Sequence, residues 1–334
     1  MNGNIVTGDG ETVIERSSVV IQDEYIKEVS KTPYVYDNAA SKVIDAEGGY
    51  IIPGVINHHI HGVTFGPAGP SAGRPRPRER VIDNLNKLML QGTTTVLNSD
   101  GFATMEEVEA ANKLHPVNIR TGTTHAPVNF RAAELAAGQG LEERHKKLTV
   151  EHQLRLGAVA IAEIGGGDTL GGGATDYLWI PKAIKEKTGV STIPSQAKAL
   201  KEAVLSRHIK RGVFNPTKTG EALKDMGLDE KLTVEEAKTL IEDIVLSSYD
   251  TGIGGIEEAA VLAEKYDVPT EVHNASGSMD AVYKAALKIK NKLIAGHSNH
   301  PSFELKEGVE HARRLKECGA VVDVSTLDIF GAKQ

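Results

Sequence analysis

From Ile5 to Ile52 the apolar residues come in short clusters, Val13-Ile14, Val19-Val20-Ile21 and Val43-Ile44, set apart by Gly, Asp and Asn. Small β-branched clusters between turn formers predict short strands, so residues 1–52 read as a small β unit. After Pro53 the rhythm changes. Val55 to Ile60, Thr93 to Leu97, Val117 to Thr124, Ala158 to Ile164, Pro269 to Val272, Leu293 to Ala295 and Ala320 to Val324 each read as a strand. Helical patterns fill the spaces between them. One helix is expected from about Glu79 to Leu90, closed by Gly92. Another opens at Thr104, which with Glu107 makes a capping box. Strands alternating with helices predict parallel β/α units. The fold class expected is therefore α/β, a TIM-like (β/α) barrel over residues 53–334. The strands number seven where a closed barrel needs one more, so the barrel is expected to be incomplete.

Between about residues 176 and 250 the alternation is interrupted. S-Q-A-K-A-L-K-E-A-V-L and L-T-V-E-E-A-K-T-L-I-E-D-I-V-L are helical and charged, and Thr233 with Glu236 makes a second capping box. The segment is expected to be a helical insertion on the loop after the fourth barrel strand. Insertions on that face shape access to substrate. A packing appendage or an oligomer contact fits the same pattern.

Composition narrows the setting. Of 334 residues 40% are hydrophobic, enough for a sizeable core. Lys and Arg number 38 against 45 Asp and Glu, a net charge of -7, which leaves no broad basic surface for nucleic acid. Cys318 is the lone cysteine, so no disulfide can form within the chain and a reducing compartment is expected. The stretch M-N-G-N-I-V-T-G-D-G lacks the apolar core of a signal peptide, and no later run is long enough to span a bilayer. The expectation is a cytoplasmic protein acting on a small molecule, with neither nucleic acid nor membrane as partner.

The candidate chemistry starts at P-G-V-I-N-H-H-I-H-G, Pro53 to Gly62. Side chains alternate along a strand, so His59 and His61 share one face and His58 takes the other. Two imidazoles side by side at a strand end make a chelate for a divalent metal. Other strand ends add partners: His125 after the third, Glu163 after the apolar run of the fourth, His273 after the fifth and His297 after the sixth. In a β/α barrel these ends converge on one mouth. A carboxylate isolated in an apolar run is costly unless a cation or hydrogen bonds compensate it. Among imidazoles such a carboxylate suits zinc, with iron and manganese as alternatives, and Glu163 has one oxygen for each of two metals. A metal of this kind makes water acidic enough to attack a polarised carbonyl.

At these residues the chain resembles the amidohydrolase superfamily, and within it the enamidase-like cyclic amidohydrolases. The likeness rests on N-I-V-T-G-D, P-G-V-I-N-H-H-I-H, the third-strand histidine, E-I-G-G-G, E-V-H-N-A-S-G and G-H-S-N. It spans nearly the whole chain apart from the helical insertion. The resemblance implies a metal-dependent hydrolase of a C–N bond, in a cyclic amide, with one or two zinc ions. His59 and His61 would hold the first metal and His273 and His297 the second. Glu163 would bridge them, in the place held by a carboxylated lysine in hydantoinases and dihydroorotases. His125 would polarise or orient the substrate carbonyl, and Asn98 and Asn274 are candidates for substrate contact. A deaminase or deacetylase of the same superfamily, or a non-catalytic metal-binding protein, is the alternative. The resemblance also makes residues 1–52 the N-terminal part of a β-sandwich and the full-length protein a homo-oligomer.

Two departures stand out. Asn57 occupies a position where the family has Asp. The family's Asp at the end of an eighth strand, both metal ligand and proton shuttle, has no counterpart, because Asp323 and Asp328 sit in or just after the seventh. The chain is thus expected to be a C-terminally trimmed piece of a larger enzyme. Its metal cradle would turn over little substrate, since the nucleophile lacks its base.

Weaker signals remain. The arginines of the loop from Gly66 to Arg80 would attract a carboxylate-bearing substrate, or the loop is simply solvated and stiffened by proline. The glycines from Gly165 to Gly173 lack the Lys-Ser/Thr of a phosphate loop and are expected to be a flexible connection. His58 and His300 are expected to be structural or exposed, and Trp179 to belong to a lid or an interface.

Overall fold

The computed structural model describes residues 1–32, 42–166 and 169–325. It divides into two units, residues 1–56 with 92–94 and residues 57–91 with 95–334. In the first unit, β1 (Gly3–Val6), β2 (Val13–Gln22), β3 (Tyr25–Ser30) and β4 (Tyr50–Ile51) form one sheet in the order β3-β2-β1-β4. Strands β2 and β3 make an antiparallel hairpin that turns at Asp23, which adopts φ 56°; Asp is one of the few side chains that tolerate this region. Among the described residues these four strands form a single sheet.

Strand β5 (Val55–Ile60) leads from the first unit into the second. There β6 (Thr93–Asn98) and β7 (Asn118–Thr121) join it in one sheet. A second sheet holds β8 (Ile161–Ile164), β9 (Thr270–His273), β10 (Leu293–Gly296) and β11 (Val321–Val322), in the order β11-β10-β9-β8 with parallel pairing throughout. An isolated parallel bridge between Gly122 and Ala160 links the two sheets. Each of these strands lies within or against a stretch the sequence predicts, and three are shorter than expected: Val117 to Thr124 shrinks to β7, Ala158 to Ile164 to β8 and Ala320 to Val324 to β11. Among the described residues no ladder joins β11 to β5, so parallel sheets are present without a closed barrel. All four residues of β8 and of β9 are buried, as parallel strands covered on both faces should be.

Helices α1 (Arg78–Leu90), α2 (Met105–Asn112), α3 (Pro127–Ala136), α4 (Glu143–Lys146) and α5 (Val150–Leu156) lie between β5 and β8 in the chain. In α1, Val81, Leu85 and Leu88 recur at helical spacing and pack with Val96 of β6 and Ile119 of β7. The capping box at the start of α2 is formed as expected, Thr104 accepting from Glu107 N–H and Glu107 from Thr104 N–H. After β8 come α6 (Ile180–Thr188), α7 (Pro194–Leu205), α8 (Pro216–Asp225) and α9 (Val234–Tyr266). The first three and the first half of α9 share a hydrophobic cluster that includes Ile184, Leu200, Leu223, Ile241 and Val245. The expected end of this segment near residue 250 falls inside α9, which runs unbroken through it for 33 residues. Its second half packs instead with Ile161, Ile164 and Val272 of β8 and β9. Helices α10 (Met279–Ile289) and α11 (Leu305–Glu317) complete the unit. Among the described residues no helix is long and apolar enough to cross a membrane.

Candidate metal centre

The strand alternation read from H-H-I-H places His59 and His61 together, ring centroids 5.3 Å apart. Each turns Nε2 toward Glu163 Oε2, at 3.5 Å for His59 and 3.2 Å for His61. The other carboxylate oxygen, Oε1, accepts from His273 Nδ1 at 3.0 Å and lies 3.3 Å from His297 Nε2. Glu163 ends β8 with 2% of its surface exposed. One buried carboxylate therefore stands between two imidazole pairs, one oxygen to each pair. The ligand atoms of His59, His61 and Glu163 lie within 4.8 Å of one another, and so do those of Glu163, His273 and His297.

These distances can be tested against a metal. Two ligand atoms about 2.0–2.2 Å from one tetrahedral ion sit roughly 3.3 Å apart, and three of the four contacts span 3.2–3.5 Å. His59 Nε2, the atom turned toward Glu163 Oε2, is buried with no hydrogen-bond partner among the described residues, a cost that a cation removes by taking the lone pair. The donor set fits a divalent ion.

Electrostatics point the same way. Burial disfavours charge on His59, but the Asp323 and Glu163 carboxylates outweigh it and hold its pKa well above the ordinary imidazole value. Burial acts likewise on His61, where Asp100 and Glu163 prevail and raise the pKa to about 10. Burial opposes ionisation of Glu163, yet hydrogen bonds from His273, His297 and His59 pull its pKa well below the usual carboxylate range. The cluster asks for positive charge at its centre, supplied by protons or by a cation.

Two acidic residues that sequence reasoning passed over sit behind the imidazoles. Glu271, fully buried, places Oε1 2.8 Å from His59 Nδ1, and its Oε2 accepts from Ser99 Oγ at 3.0 Å. The signal was available: in T-E-V-H, a period of two puts Glu271 on the face of His273. Asp100, 1% exposed, accepts from His61 Nδ1 at 2.8 Å. At the end of β11, Asp323 lies 3.7 Å from His59 Nδ1 and 3.9 Å from His58 Nε2. It groups with His58 and Glu271 and not with either imidazole pair. Asp328 lies outside the described residues.

His125 sits against Phe102 and Phe130 and hydrogen-bonds Thr123 Oγ1 through Nδ1 at 2.9 Å, while its Nε2 is buried without a hydrogen-bond partner among the described residues. Burial pushes its pKa down to about 4, so the ring is neutral near pH 7. Asn98 is fully buried and donates to Thr121 Oγ1 and to the Asp100 carbonyl. Asn274 donates to Ser298 Oγ and accepts from His311 Nε2. The Asn274 amide is thus engaged on both sides, whereas Asn98 Oδ1 is buried without a hydrogen-bond partner among the described residues. The side chain of His58 is 44% exposed. His300 stacks edge-on to His273 at 5.5 Å and hydrogen-bonds Ser302. A cavity of about 240 Å³ borders His208, Tyr249, Ser276 and Asp280, and none of the imidazoles around Glu163 lines it.

No family model matches the chain. A stretch of 98 residues, 29% of this chain, is 26% identical to an enamidase from Eubacterium barkeri and covers 23% of that protein. A stretch of 60 residues, 18% of this chain, is 47% identical to a 5-methylthioadenosine/S-adenosylhomocysteine deaminase from Pyrococcus furiosus and covers 13% of it. The matched stretches thus span less than a quarter of either relative. Solved structures similar to this one include an uncharacterized protein, with TM-score 0.47, 14% identity and coverage of 97% of this chain and 77% of the other. Another is a prolidase complexed with N-methylphosphonate-L-proline, with TM-score 0.46, 15% identity and coverage of 97% and 76%.

Proposed function

We propose that this chain, a member of the amidohydrolase superfamily, is a metal-dependent hydrolase that cleaves a C–N bond in a small cyclic amide. The observation that carries the proposal is Glu163 between two imidazole pairs, one oxygen facing each. His59, His61, His273 and His297 would hold one or two divalent ions, zinc by the chemistry of the donors, with Glu163 common to both positions. Such an ion supplies Lewis acidity, which makes water a nucleophile near neutral pH and polarises a carbonyl. The chain's own part is to hold that geometry in a buried setting and to manage charge and protons. His125, neutral and with Nε2 unengaged by described residues, can offer a hydrogen bond to a substrate oxygen. Asp323 Oδ1, buried without a hydrogen-bond partner among the described residues, is a further carboxylate oxygen beside His59. A cytoplasmic setting accords with the lone cysteine, and self-association would be its partnership.

The cyclic-amide substrate is supported by the stretch shared with enamidase. A deaminase reading is supported by the shorter and more nearly identical stretch shared with the Pyrococcus deaminase. Both reactions break a C–N bond at a carbon made electrophilic by a metal site, so the substrate panel distinguishes them. Metal content should be measured on purified wild type and on Glu163→Gln, followed by hydrolysis of cyclic amides and of amino-substituted purines. One or two equivalents of metal in wild type, largely lost in the variant, is the expected result. A wild type that takes up no zinc, iron or manganese would overturn the proposal.

A further inference from the structure

His59, His61 and His297 turn Nε2 toward Glu163; to act as ligands there they must present a lone pair from Nε2, and a neutral imidazole does so only when its proton sits on Nδ1. Something has to keep it there. At His61 that group is Asp100. The carboxylate belongs to the loop that follows β6, in N-S-D-G, and is fixed from two further sides. Oδ2 accepts from the Gly62 N–H at 2.7 Å, and Oδ1 accepts from the Gly69 N–H at 2.6 Å. Oδ1 is also the atom 2.8 Å from His61 Nδ1. Asp100 is 1% exposed, so these three donors replace water for it. A backbone N–H can only donate, so both carboxylate oxygens act as acceptors here, and toward His61 the carboxylate likewise accepts the Nδ1 proton. The Nε2 lone pair is then directed toward Glu163 Oε2, 3.2 Å away. The adjoining residue repeats the arrangement one step removed: Ser99 Oγ donates to Glu271, whose free oxygen rests 2.8 Å from His59 Nδ1. Consecutive residues at the end of one strand thus stand behind both histidines of H-x-H.

We infer that Asp100 is a positioning residue that fixes the Nδ1–H tautomer and the orientation of His61, and through the Gly69 N–H ties the loop after β5 to the metal centre. The inference rests on the metal-binding reading of His61. Carboxylates behind metal-bound histidines raise the basicity of the ligand nitrogen, and their loss weakens metal binding by roughly 10–100-fold. Asn is nearly isosteric with Asp, but its Nδ2 can only donate. Facing His61 Nδ1 it would draw the proton to Nε2 and block the ligand position.

The test compares zinc affinity of wild type and Asp100→Asn by competition with a chromophoric chelator. It also records the visible spectrum of the cobalt-substituted proteins and the melting temperature of the metal-free ones. A variant that folds, binds zinc roughly 10–100-fold more weakly and shows an altered cobalt spectrum bears the inference out. Equal zinc affinity with an unchanged cobalt spectrum overturns it, whatever the melting temperature does. If the Asn variant does not fold, Asp100→Ser, smaller and able to accept from one backbone N–H, undergoes the same measurements with the same two outcomes. Wild type that binds neither metal overturns the metal reading first and this inference with it, whereas tight binding by both proteins overturns this inference alone.

Discussion

A buried histidine titrates against the whole of its surroundings, and His125 is the clearest case in this chain. It is 2% exposed, and burial lowers its pKa from 6.5 to about 4. In the unfolded chain the same ring titrates near the ordinary imidazole value. Between these values the unfolded state binds the proton and the folded state does not, so stability falls as pH drops from about 6.5 toward 4. The shift corresponds to about 3 kcal/mol once both states are protonated. His125→Asn keeps a partner for Thr123 but cannot take the proton. Urea unfolding of both proteins at pH 7 and pH 4.5 should show the variant's stability deficit shrinking at the lower pH; an equal deficit at both would refute the assignment. Residues of this kind were only partly legible in the sequence. His59, His61, His125, Glu163, His273 and His297 could be singled out because each falls in or just after a stretch that reads as a strand. Asp100 did not, because S-D-G reads as a turn, and its role exists only once the chain brings Gly62, Gly69 and His61 around it. The protein partners of Asn98 and Asn274 could not be read from the sequence either: Asn98 Nδ2 donates to Thr121, and the Asn274 amide lies between Ser298 and His311.

Elements were legible where local signals agree and illegible where packing overrides them. The capping boxes at Thr104 and Thr233 form as the four-residue pattern requires. By contrast, the insertion was expected to end near residue 250, yet α9 passes through D-T-G-I-G-G-I, residues 250–256. The reason is a close approach: α3 crosses α9 here, and a Cβ built on Gly255 would lie 2.7 Å from Asn129 Oδ1. The glycine is required by the neighbour, not by the backbone. Gly220, inside α8, has nothing within 4 Å of the same point. Gly220→Ala should therefore gain up to about 1 kcal/mol from helix propensity alone. Gly255→Ala gains the same term but crowds a buried amide, an overpacking cost of about 1–3 kcal/mol, and should lose stability on balance. Thermal melts of the two variants should move in opposite directions; movement in the same direction would show that the α3–α9 contact does not limit that position. The extended α9 also explains why a boundary near residue 250 could not be read: one helix carries the insertion's hydrophobic cluster at its start and the strand-facing core at its end.

At the scale of the molecule, the five candidate ligands come from distant points of the chain, His59 to His297, and all lie in the second unit. The first unit contributes none. An ion bound by four strand ends holds only when those strands are in place, so it stabilises the folded second unit and has no equivalent in the unfolded chain. By mass action the gain is about 2.7 kcal/mol when free metal is a hundred times the dissociation constant. Without the ion, the raised pKa values of His59 and His61 mean that protons balance Glu163 in its place, which is a looser arrangement than coordination. Calorimetry of protein stripped with a chelator and then titrated with zinc should show a transition that rises with metal concentration. If the two units melt separately, only the transition of residues 57–91 and 95–334 should move. A first-unit transition that shifted equally would mean that metal acts on the chain at large, and not through Glu163 and the four imidazoles around it.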